Sequence, residues 1–223
     1  MTNLNEQAIQ KLQDGQYEEA VDLLNKAIEE NPTDTAAYIN FGNVLAQFNE
    51  TEKAERFFQK AITLDEEAGL AYYALANLYY NAERFSESAT LYEKSISKGV
   101  TESDAYFMLG LSFMNEDKVK LALPYLQRAV ELSEEDAEAY FQYGLALAHL
   151  EIGEEAIEQL QKAVDLQPNH ADALYNLGVA YAGFEENATK ALACFEQAIL
   201  AQPDHYLALN GKEIMKQALD SNS

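Results

Sequence analysis

The chain matches itself when shifted by 34 residues, and the match continues along nearly its whole length, with units starting at residues 1, 35, 69, 103, 137 and 171 and a shortened seventh element near residue 206. Position 8 of successive units is Ala8, Gly42, Ala76, Gly110, Gly144 and Gly178. Position 20 is Ala20, Ala54, Ser88, Ala122 and Ala156, and position 27 is Ala27, Ala61, Ser95, Ala129 and Ala163. All of these are small. Position 24 is large: Leu24, Phe58, Tyr92, Leu126, Leu160 and, displaced by one extra residue in AGFEENATK, Phe195.

Helical geometry gives this spacing its meaning. Positions 4, 7, 8 and 11 share one stripe of a helix, and 20, 24, 27 and 28 share one stripe of another, so each unit predicts two amphipathic helices joined by a short turn. Small residues at 8, 20 and 27 let the helix axes approach, and the large ones fill the gap between them. Pro32, Pro168 and the displaced Pro203 mark unit ends, because proline cannot continue a helix. One helix pair buries too little to hold itself folded, so neighbouring pairs must stack.

The pattern resembles the tetratricopeptide repeat family over about 205 of the 223 residues. The resemblance implies an all-α, right-handed superhelical solenoid of antiparallel helix pairs. It also implies a single domain over 1–223, with repeats at 1–34, 35–68, 69–102, 103–136, 137–170 and 171–205, a capping helix at 206–219 and a polar tail at 220–223. Local departures carry their own expectations. Gln7 and Lys11 make repeat one a partly polar cap, Ser88, Ser95 and Val100 predict a looser third linker (SKGVTES), and Pro124 predicts a mild kink or a late helix start. Lys212 and Glu213 replace core residues in the last helix, which therefore reads as a solvating end.

Charge and composition narrow the function. The net charge is -23, from 15 basic and 38 acidic side chains, which argues against DNA or RNA as ligand, since binding phosphate relies on Lys and Arg. No apolar run approaches the roughly 20 residues of a membrane span, so no membrane partner is expected. The lone Cys194 cannot bridge internally and suggests the reducing cytoplasm. His149, His170 and His205 occur singly, no glycine-rich phosphate loop is present, and no enzyme, cofactor or metal site is expected. Lys11 and Lys212 near the two ends favour a monomer.

Positions 2, 5, 9 and 12 of each first helix face away from the pair's core, and in the family this face lines the concave groove. Position 5 reads Ile39, Tyr73, Phe107, Phe141 and Tyr175 after Asn5, a row of large side chains where water would favour polar ones. Position 9 adds Asn43, Asn77, Leu111, Leu145 and Val179, and position 12 adds Tyr80 and Met114. Asn40 and Asn176 lie beside them, and amides suit the backbone of an extended peptide. Asp104, Glu138 and Asp172 at position 2 form an acidic edge. The predicted partner is thus another protein, presenting a peptide or helix that is apolar with Lys or Arg among its residues. The resemblance also allows a test for the family's carboxylate clamp. Its basic positions are occupied here by Ile39, Asp104 and Met108, so a free acidic chain end is not the expected ligand. The work is that of an adaptor, with a chaperone-like holder of apolar segments as the alternative.

Overall fold

The computed structural model describes residues 3–221. Among them the chain forms thirteen α-helices and no strand. The first helices of the pairs are α1 (Leu4–Gln13), α3 (Thr35–Gln47), α5 (Gly69–Asn81), α7 (Ser103–Asn115), α9 (Ala137–His149) and α11 (Ala171–Phe184). Their second helices are α2 (Tyr17–Glu30), α4 (Thr51–Leu64), α6 (Phe85–Ser97), α8 (Val119–Leu132), α10 (Gly153–Leu166) and α12 (Ala188–Ala201), and α13 (Tyr206–Ser221) follows. Backbone contacts divide the chain into two compact units, Met1–Ser112 and Phe113–Ser223.

Within each unit the small and large positions meet as the repeat predicts. A methyl added at Gly42 would lie 2.4 Å from the Phe58 ring, and one at Gly144 would lie 2.8 Å from Leu160 Cγ. These distances are below van der Waals contact, so glycine is what lets the helices close at these two pairs. A further small position is occupied throughout: Ala37, Ala71, Ala105, Ala139, Ala173 and Ala208, the third residue of each first helix from α3 onward, are fully or almost fully buried.

The turn inside each pair has one design. Gln16, Glu50, Arg84, Lys118 and Ile152 donate their N–H to the carbonyls of Lys11, Leu45, Tyr79, Phe113 and Leu147 at 2.8–3.0 Å, the six-residue closure of a Schellman end. The residue before each donor is left-handed: Gly15 at φ 72°, then Asn49, Glu83, Asp117 and Glu151 at 58–60°. In the sixth repeat the inserted residue widens the turn. Glu186 takes the left-handed place, and the Asn187 N–H reaches back to the Tyr181 carbonyl at 3.0 Å.

Two expectations change. The third linker is built into the core: Gly99 turns at φ 93° and Val100 is buried against Gly69, where a methyl would meet Val100 Cγ2 at 2.9 Å. The two serines at small positions are also accommodated, Ser88 Oγ donating to the Ala76 carbonyl and Ser95 Oγ to the Gly69 carbonyl, both at 3.0 Å. The late start expected at Pro124 does not occur, for α8 begins at Val119 and includes Pro124, whose side chain is exposed. In α13 only Ala208 is buried, and Leu207 and Ile214 are half exposed.

Candidate functional site

In repeats one, five and six the position-5 side chain is anchored to the linker that follows it. In repeat one Asn5 is buried and its Nδ2 donates to Asp34 Oδ2 at 2.8 Å, while Asp34 Oδ1 caps α3 at the Ala37 N–H. In repeats five and six the capping residue is a histidine and the position-5 residue is aromatic. Phe141, only 7% exposed, lies 4.8 Å from the His170 ring, and Tyr175 lies 5.2 Å from the His205 ring. Tyr73 and Phe107 are half-buried, and Tyr73 meets the buried Tyr92 ring at 5.7 Å. Burial holds the Tyr73 hydroxyl above its ordinary pKa, with Asp104 and Glu102 adding to the effect and Asn77 opposing it. Ile39 is half-buried against the Phe58 cluster. Asn5, Ile39, Tyr73, Phe141 and Tyr175 thus each give part of their surface to the chain's own packing.

The histidines also use the acidic edge. His205 is buried, its Nδ1 accepts the Ala208 N–H at 3.1 Å, and its Nε2 lies 3.2 Å from Asp172 Oδ1. His170 repeats the arrangement one unit earlier, with the Ala173 N–H at 3.3 Å and Glu138 Oε2 at 3.3 Å. Accepting the amide at Nδ1 places the proton on Nε2, which donates to the carboxylate. Glu138 and Asp172 therefore hold the linker residue that caps the following helix, and both, like Asp104, are exposed. His170 and His205 stand singly in the sequence, with no signal for their carboxylate partners.

Open grooves run along the remaining face. In the first unit a groove of about 250 Å³ between α3 and α5 is lined by Asn43, Asn49, Asn77 and Asn81 with Ala46 and Leu78. Asn77 is held from below, its Oδ1 accepting the Tyr92 hydroxyl, while Asn43 and Asn81 are exposed. Asn40 is half-buried, and Tyr80 packs its ring on Phe85 at 5.3 Å. Leu111 and Met114 on α7 are half-buried.

The second unit differs in chemistry. A groove of about 190 Å³ lies between α9 and α11, with Leu145, Ala148 and Asn176 on its walls. A second of about 370 Å³ lies between α11 and α13, with Tyr175 and Ala182 facing Leu207, Asn210, Ile214 and Met215. The two share Val179 and Gly183, and neither has a charged side chain in its lining. The α13 wall was missed in the sequence, although Leu207 and Ile214 stand at positions 2 and 9 of its own register.

Elsewhere, Cys194 is buried, and burial pushes its thiol up to about 11 against a small lowering by Lys190. No helix among the described residues is long and apolar enough to cross a membrane.

Stacked helix pairs with uncharged grooves in each unit define an α-helical repeat protein suited to contact with other molecules. Comparison with known proteins gives the family. Models described as TPR repeat or tetratricopeptide repeat match residues 11–61, 40–99, 73–136, 154–183 and 171–205. The crystal structure of YrrB, described as a TPR protein with an unusual peptide-binding site, shares 46% identity at a TM-score of 0.80, covering 85% of this chain and 97% of that one. The curated TPR repeat-containing protein YrrB of Bacillus subtilis (strain 168) is 51% identical over 41 residues, a stretch that spans 18% of this chain and 20% of that protein. MamA from Desulfovibrio magneticus RS-1 shares the fold at 23% identity and a TM-score of 0.70, covering 77% of this chain and 97% of that one. The chain belongs to the tetratricopeptide repeat family, whose members bind other proteins.

Proposed function

We propose that this protein is an adaptor that holds a peptide or helix of a partner protein in the grooves along α3–α5 and α9–α13. The observation that carries the reading is the absence of charge from the linings of these three grooves in a chain of net charge -23, where other grooves are lined by Glu154, Glu158 and Asp165 or by Glu30 and Asp34. A merely solvated face would share the acidic character of the rest, whereas uncharged troughs in an acidic chain suit an apolar segment with basic residues. The likeness to YrrB, described as having a peptide-binding site, supports the same reading. The buried, unpaired Cys194 fits a reducing compartment.

The apolar wall of Leu207, Ile214 and Met215 favours a second reading, a chaperone-like holder of apolar client segments. Crosslinking in the native cell, purification and a count of partners separates the two, one dominant partner marking the adaptor. Asn43→Ala with Asn81→Ala, and Val179→Lys alone, change exposed groove residues and should each reduce capture while leaving helical circular dichroism unchanged. Capture that survives both sets would place the working surface on the opposite face.

A further inference from the structure

Resting on the groove reading, we infer that the α9–α11–α13 trough is a seat for a cationic amphipathic helix, with α13 forming one of its walls. Main-chain chemistry separates this trough from the one in the first unit. An extended segment brings N–H and C=O groups that need partners, while a helix satisfies its own. The α3–α5 groove offers exposed Asn43 and Asn81 to such groups. The trough of the second unit offers little. Asn176 already donates to the Asp172 carbonyl at 2.8 Å, which leaves Asn210 as the exposed amide of the lining. Everything else there is apolar or aromatic, with Val179 at 44%, Leu207 at 51% and Ile214 at 50% exposure. Such a strip suits side chains spaced i, i+3, i+4 and i+7 on one face of a helix.

The charge of the occupant follows from that of the unit. Residues 113–223 carry 19 acidic and 7 basic side chains, a net of -12. Lys212 and Lys216 on α13 and Lys190 on α12 are engaged, with Glu196 at 3.0 Å, Glu213 at 3.7 Å and Glu185 at 2.7 Å. A helix with Lys or Arg flanking its apolar stripe would meet a net-acidic unit and no competing cation in the seat.

Fluorescence anisotropy with the full chain tests this. The probe is a labelled peptide with leucine at i, i+3, i+4 and i+7 and lysine elsewhere. Two controls accompany it, one with central prolines and one with the leucines changed to serine at unchanged charge. The first peptide should bind, and Ile214→Lys and Leu207→Lys should each weaken it by roughly 10-fold or more, with Asn43→Ala leaving it unchanged. Both lysine changes fall on half-exposed positions, and circular dichroism melts verify that each variant folds. Equal binding of the proline peptide would mean an extended occupant and overturn the inference. So would equal binding of the serine peptide, or insensitivity to both lysine changes, since either marks attraction by charge alone. The broader groove reading fails separately, when native partner capture ignores the Asn43, Asn81 and Val179 changes.

Discussion

Gly178 and Gly183 lie on the same helix, and replacing each by alanine should move stability in opposite directions. A methyl at residue 178 would sit 2.7 Å from Phe195 Cε1 and 3.2 Å from the Ala191 carbonyl. Phe195 cannot retreat, because a methyl at Gly211 on its other side would already stand 2.9 Å from Cε2 and Cζ, and the ring is buried. At Gly183 nothing lies within 4 Å. Helix propensity favours alanine over glycine by about 1 kcal/mol at a helix interior, so this gain is common to both changes. Overpacking at residue 178 costs about 1–3 kcal/mol and has no counterpart at 183. The two variants should therefore differ by about 1–3 kcal/mol, with Gly183→Ala more stable than the parent and Gly178→Ala neutral to less stable. At about 2–4 °C per kcal/mol for a chain of this size, the melting temperatures should separate by roughly 2–12 °C. Thermal melts followed by circular dichroism measure the difference. In a Phe195→Leu background the penalty at 178 should shrink, because Ala8 over Leu24 already pairs these residue types in repeat one. Equal stabilisation by the two glycine changes would refute the view that close approach at position 8 requires glycine against a phenylalanine.

Other expectations concern single residues. Glu151 sits at φ 60°, so Glu151→Gly should raise stability by about 0.5–1 kcal/mol in a urea titration, the relief of left-handed strain exceeding glycine's entropic cost; a lower midpoint would contradict it. With its thiol near 11 inside the core, Cys194 should react with a thiol reagent at pH 8 about 100-fold more slowly in the folded protein than in urea, and matched rates would show it accessible. Burial raises the Tyr92 hydroxyl above its ordinary range, so its contribution to stability is fully present below about pH 10 and is lost as pH rises beyond. Tyrosinate absorbance of the folded protein should lag behind that of the unfolded chain above that pH, and Tyr92→Phe should reduce the alkaline loss of stability. Coincident titration curves would count against it.

How much of this was legible in sequence depends on the range of the interaction. Helix existence, pairing and the match of small to large residues follow from a period of 34, since each is a contact between side chains at fixed spacing and recurs in every unit. Charge was equally readable, because it is a sum over composition. The turns were harder. Gly15 and, less strongly, Asn49 and Asp117 advertise the left-handed position, whereas at Glu83 and Glu151 the Schellman hydrogen bonds override the residue's own preference.

The site divides along the same line. Register alone placed Asn43, Asn77, Leu145 and Val179 on the outer face of first helices, and each of them lines a groove. It could not weigh one neighbour's cover against another's, so it treated the position-5 aromatics as a free row when Phe141 and Tyr175 lean on His170 and His205. Nor could it see α13 as a wall, because Leu207 and Ile214 acquire that role only by facing Tyr175 and Ala182 across a gap between helices. An acidic stack of helix pairs is already dictated by the periodic contacts that each repeat makes with itself and its neighbour. Which uncharged surface stays open is settled in three dimensions, because exposure is what remains after every linker and cap has taken its share.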